Sequence, residues 1–145
     1  MPVWLWGHKT LALFDVWSIE HVLAGLSIGA MVIKARGYVL VGADPMQRLV
    51  NVRVDLLGIL FLSYLWEAVE HYLETGLAGG VVMHWLAGVE LWGNRLITDP
   101  LMVVLGYAIV ERNPRLVWPA RVLSAAWVIV HVFFFPDSMY LHELF

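Results

Sequence analysis

The chain has no cysteine. That excludes disulfides, thiolate metal sites and cysteine nucleophiles. Charge is scarce as well. Only 14% of the 145 residues are Asp, Glu, Lys or Arg, where soluble domains carry about 25%. The formal net charge of -3 comes with no basic patch, which argues against a nucleic-acid partner. No internal repeat and no low-complexity tract stands out. Met1 to Thr10 lacks a basic stretch ahead of a short apolar core, so a cleaved signal peptide is not expected and the first span is expected to act as its own insertion signal.

What is there is apolar. Hydrophobic residues make up 61% of the chain, with eight Trp and five Tyr, and mean hydropathy is +0.75. This composition predicts an all-α, polytopic membrane bundle of about four transmembrane helices, in one domain covering 1–145. The spans are expected at about 11–33, 52–73, 92–111 and 118–135. Met1–Thr10, with Trp4 and Trp6, reads as an interfacial anchor. Val81 to Trp92 reads as a helix, either interfacial or leading into the third span. Gly25 and Gly29 form a small-residue ridge that lets a second helix approach closely.

Basic residues set the expected orientation. Lys34, Arg36, Arg48 and Arg53 lie between the first two spans, and Arg112 and Arg115 between the last two. The Glu74–Gly80 turn and the C-terminal tail have none. Both basic loops fall on one side of a four-span protein, and that side is expected to be cytoplasmic. The two termini and the Glu74–Gly80 turn are then non-cytoplasmic.

The polar residues inside the spans carry the functional argument. Glu67, Glu70, His71 and Glu74 share one helix face, because residues three and four apart are neighbours. In a membrane such groups are costly, so they face the bundle interior or a water-filled cavity. Counting depth along each span puts them level with His21, Asp99 and His131, in the outer half, with no comparable cluster expected in the inner half. The candidate metal ligands are His21, Glu67, Glu70, His71 and Asp99. A wider polar network takes in Asp15, Glu20, Glu90, Asn94, Arg95 and His131. Plainer expectations stand beside these. Asp15 would be interfacial, Glu74 a water-facing helix end, His131 a packed residue on an aromatic face, and Arg95 would pair with Asp99 on one helix.

Three stretches carry a likeness to a known group: Phe14-Asp15-Val16-Trp17-Ser18-Ile19-Glu20-His21, then Trp66-Glu67-Ala68-Val69-Glu70, then Asp99-Pro100-Leu101-Met102-Val103-Val104-Leu105-Gly106. In these the chain resembles the VanZ-like small bacterial inner-membrane proteins and their uncharacterised relatives. The resemblance implies a multi-pass protein of the bacterial inner membrane, with Asp15, His21, Glu67, Glu70 and Asp99 as its polar core. It brings no reaction with it. Arg95 and Pro100 depart from the pattern, and an Arg there could neutralise a carboxylate that elsewhere binds a cation.

Histidine nitrogen with several carboxylates suits Zn, Fe or Mn. The leading expectation is therefore a divalent-metal site in the outer half, acting on a lipid or isoprenoid head group. The alternative is non-enzymatic: a cation or proton carrier, or a structural subunit of a larger membrane complex, with pigment or haem ligation a lesser variant. Membrane lipid, further copies of the chain or other membrane subunits are the expected partners.

Overall fold

The computed structural model describes residues 2, 4–39, 45–86 and 88–134. The middle of the first basic loop, the last residue of the fourth expected span and the tail from Pro136 onward lie outside these. Among the described residues the regular structure is helical throughout. The elements are α1 (Val16–Val39), α2 (Pro45–Glu74), the short α3 (Gly80–Trp85), α4 (Asp99–Arg112) and α5 (Val117–Ile129). A π-helical turn, Asn94–Thr98, leads into α4, and a second, Val130–Phe134, ends α5.

Three helical stretches are long and apolar enough to cross a membrane: Val16–Gly37, Leu49–Glu74 and Pro114–Phe134. Their surfaces are turned inside out relative to a soluble fold. Leu57, Phe61, Leu65 and Trp66 on α2 and Val122, Leu123 and Ile129 on α5 are exposed, while Glu67, Glu70 and Asp55 are buried. A lipid-facing exterior accounts for both halves of that pattern. α4 is not among the three stretches.

α1 is the hub. It packs against α4, α5 and α2, and α4 also packs on α2. The α1–α4 contact is nearly backbone on backbone. A Cβ placed on Gly106 would lie 2.7 Å from the Cα of Gly25, and one on Gly29 would lie 2.9 Å from the Cα of Tyr107. The Gly25–Gly29 ridge therefore meets α4, and Gly106 supplies the opposing hollow. Such close approach is how helices associate where lipid removes the hydrophobic drive between them.

Expected boundaries move, and α2 already starts at Pro45, ahead of the apolar run expected from about 52. α1 begins at Val16 and not near Leu11, because Asp15 caps it. Its Oδ1 accepts from the amides of Trp17 (2.7 Å) and Ser18 (3.1 Å), and the Asp15 amide donates to Ser18 Oγ at 3.1 Å. This reciprocal cap satisfies the free donors of the first turn. Residues before it fold back across the end of the bundle, with the Phe14 amide donating to Leu5 O at 3.0 Å and the Leu91 amide to Lys9 O at 2.9 Å. Within the stretch expected to anchor at the interface, Trp4 is exposed while Lys9 is wholly buried. Val81–Trp92 is not one helix. It stops after Trp85, and Gly88 (φ 99°) turns the chain inward. At the α2–α3 turn, Gly76 (φ 97°) and Gly79 (φ 93°) hold a left-handed backbone that other residues resist.

Candidate metal site

The N-terminal end of α1, the C-terminal end of α2 and the π turn before α4 meet at one end of the bundle. Between them lie six buried carboxylates: Asp15, Glu67, Glu70, Glu74, Glu90 and Asp99. Lys9 and Arg95 are the cations buried with them, beside His21.

Glu74 is the satisfied member. Its Oε1 is bridged by the Lys9 ammonium, and its Oε2 accepts from Arg95 Nη2 at 2.5 Å and from the Glu90 amide at 3.1 Å. It is not the water-facing helix end expected of it: it pins the N-terminal segment, the Glu90 loop and the π turn to α2. Asn94 adds a second tie. Its Nδ2 donates to Asp15 Oδ2 (3.1 Å) and Glu90 Oε1 (2.9 Å). The π turn buries Asn94, Arg95, Thr98 and Asp99 on one side and exposes Leu96 and Ile97 on the other. Turns of this kind are rare and concentrate at functional sites.

His21 is held at both ring nitrogens. Its Nδ1–H donates to Trp17 O at 2.9 Å, and Nε2 is hydrogen-bonded to Glu67 Oε1 at 3.2 Å. A backbone carbonyl on one imidazole nitrogen is the usual device for presenting the other to a cation. His21 Nδ1 is also 3.6 Å from Asp99 Oδ1.

Three triads bring donor atoms within 4.8 Å of one another: His21, Glu67 and Glu70; Glu67, Glu90 and Asp99; Glu70, Glu74 and Glu90. Several of these oxygens are buried with no hydrogen-bond partner. They are Glu67 Oε2, Glu90 Oε2 and both oxygens of Asp99. Burial pushes the Glu90 carboxyl up to about 10, and the charges of Asp99, Glu70 and Glu67 act in the same direction against the opposing Lys9. Burial also raises Asp15, partly offset by its cap bonds to Ser18 and Trp17.

His21, Glu67, Glu70 and Asp99 are therefore together. His71 stands apart: it is half-buried, its Nδ1 accepts from Arg95 Nη1 at 3.1 Å, and its ring lies 5.6 Å from that of Trp92. Arg95 does not pair with Asp99. It reaches Glu74 at 2.5 Å and lies 3.7 Å from Glu90 and 3.9 Å from Glu67. Asp15 is a buried cap and not an interfacial residue. Glu20 and His131 sit at the α1–α5 contact. Glu20 accepts from Ser124 Oγ at 2.5 Å, and the His131 ring stacks on Trp127 at 4.6 Å.

Two features had weak signals or none. Lys9 read as part of an aromatic anchor, and its 65-residue separation from Glu74 leaves no local trace. Asp55 corrects the expectation that buried charge is confined to one half. It is wholly buried toward the opposite end of the bundle, held by Arg36 Nη1 (2.5 Å) and Tyr107 OH (3.1 Å). A carboxylate amid an apolar helix was the available signal.

No family model, no curated protein and no solved structure matches the chain.

Proposed function

We propose that the chain is a four-span integral membrane protein that binds divalent metal at His21, Glu67, Glu70, Glu90 and Asp99. One observation carries the proposal: carboxylates outnumber cations in the buried cluster, and Asp99, fully buried, has no hydrogen-bond partner on either oxygen. A bare carboxylate surplus in a dry interior is untenable without protons or cations. Nitrogen and oxygen donors favour Mn, Fe or Zn. The remaining span, third in chain order, is the helical backbone from Trp92 to Arg112, which at about 1.5 Å per residue covers the roughly 30 Å of a hydrocarbon core. The basic loop residues lie at the end opposite the cluster, so the site faces the non-cytoplasmic leaflet. A metal at that depth would polarise a phosphoryl or carbonyl oxygen, or activate water, on a lipid or isoprenoid head group.

A second proposal has its own support: Lys9 and Arg95 both pair with Glu74, as in a purely structural network or a cation-independent subunit of a larger complex. Metal analysis and an absorption spectrum of the purified protein separate the two. Bound Mn, Fe or Zn that is lost in Glu67→Gln supports the metal site. Absence of any binding, in native or reloaded protein, leaves the structural network. Labelling of Gly80→Cys but not Gly37→Cys from outside tests the orientation; both positions have open space around a new Cβ.

A further inference from the structure

We infer that the cluster holds two divalent cations, bridged by Glu67. This rests on the metal site proposed above and adds its nuclearity. The first ion takes His21, Glu67 and Glu70; the second takes Glu67, Glu90 and Asp99. Glu67 is common to both triads, and its two oxygens are placed differently. Oε1 faces His21 Nε2 at 3.2 Å, and Oε2 is buried without a hydrogen-bond partner. A carboxylate giving one oxygen to each ion is the ordinary way to hold two metals about 3.5–4 Å apart.

The third triad is not a third site. Its Glu74 is already taken by Lys9, Arg95 and the Glu90 amide. The second triad is the reverse: both oxygens of Asp99 and Oε2 of Glu90 are buried without a hydrogen-bond partner. The nearest protein donors, His21 Nδ1 at 3.6 Å from Asp99 Oδ1 and Arg95 Nη2 at 3.7 Å from Glu90 Oε2, stand too far off for hydrogen bonds, which leaves room for a ligand that accepts electron pairs.

Charge is compatible with that count once metal binding displaces the protons of the carboxyls. With all six deprotonated, as in a loaded site, Asp15, Glu67, Glu70, Glu74, Glu90 and Asp99 face Lys9 and Arg95, which leaves four negative charges when His21 is a neutral ligand. Two divalent ions cancel them. One ion would leave two of these carboxyls holding their protons. Each ion has only three protein ligands, so each keeps open positions for water or an anionic oxygen, as catalytic metal sites do.

The test uses full-length protein in detergent, stripped with chelator and reloaded with Mn²⁺. Equilibrium dialysis gives the stoichiometry, and low-temperature electron paramagnetic resonance reports whether the ions are exchange-coupled. Two Mn²⁺ per chain with a coupled multiline signal is the expected result. Asp99→Asn should then bind one Mn²⁺ with an uncoupled six-line signal. A single uncoupled Mn²⁺ in the unaltered protein overturns the two-ion inference and leaves the metal site standing. No Mn²⁺, Fe²⁺ or Zn²⁺ binding at all overturns both. Two coupled ions retained in a monodisperse Asp99→Asn variant would overturn the assignment of the second triad. The stoichiometry of the unaltered protein decides the matter even where a variant does not fold.

Discussion

Asp55 and Asp99 are both shut off from solvent entirely, at opposite ends of the same three helices. Asp55 has an arginine at 2.5 Å and a tyrosine hydroxyl at 3.1 Å, with one oxygen left over. Asp99 has a shared imidazole at 3.6 Å, two more carboxylates within its triad, and neither oxygen hydrogen-bonded. The first arrangement balances its own charge: one acid, one base. The second is complete only when something positive joins it. A buried charge alone does not mark a site in a membrane bundle. A buried surplus of one sign does.

The largest expected effect falls on what both ends share. Gly25→Leu or Gly106→Leu drives a side chain into the opposing backbone, and neither helix can yield without losing the contact. Both variants should fail to give a folded, monodisperse protein by size-exclusion chromatography. Gly37→Leu, with nothing near its Cβ, should change stability by no more than about 0.5 kcal/mol. A well-behaved Gly25→Leu would mean that α1 and α4 are not joined as described.

Next comes the paired end. Asp55→Ala leaves Arg36 without its partner and should cost about 3 kcal/mol by thermal unfolding, with metal content unchanged. Loss of metal in this variant would break the contrast between the two ends. At the surplus end the effects should be reversed. Glu67→Gln should weaken metal binding by about 100-fold or more, on the scale of losing an oriented ligand. Its metal-free stability should hold or rise, because one of several like charges is gone. A metal-free Glu67→Gln that is several kcal/mol less stable would make the cluster structural.

The pH response sharpens the same point. The Glu90 carboxyl lies near 10 when folded, against 4.5 in its ordinary state. A raised folded value means that the folded protein binds the proton more tightly. Its contribution is fully present below about pH 4.5 and is lost as pH climbs toward 10. Metal-free protein should therefore lose stability over that window, and Glu90→Gln should flatten the slope. A slope unchanged in Glu90→Gln would assign the titration elsewhere. The smallest effect belongs to His71→Ala. It removes one hydrogen bond from Arg95, worth about 1 kcal/mol, and should leave metal affinity where it was.

Much of this architecture is local enough to be written in the chain. Long apolar runs with few charges can satisfy their backbone only as helices, so the all-helical class follows from composition. The i, i+3, i+7 spacing of Glu67, Glu70 and Glu74 puts three carboxylates on one face whatever they meet. Gly25 and Gly29 announce a close contact without naming its partner. The rest depended on groups distant in sequence. Lys9 meets Glu74, Arg36 meets Asp55, and Asn94 meets Asp15 only because the helices bring them together. Pairing decides whether a buried acid is neutralised or left wanting, and pairing is a three-dimensional property. Helix period placed Glu67 and Glu70 on an inward face; only the packing of α1, α2 and α4 gave Asp55 its arginine and left Asp99 without one.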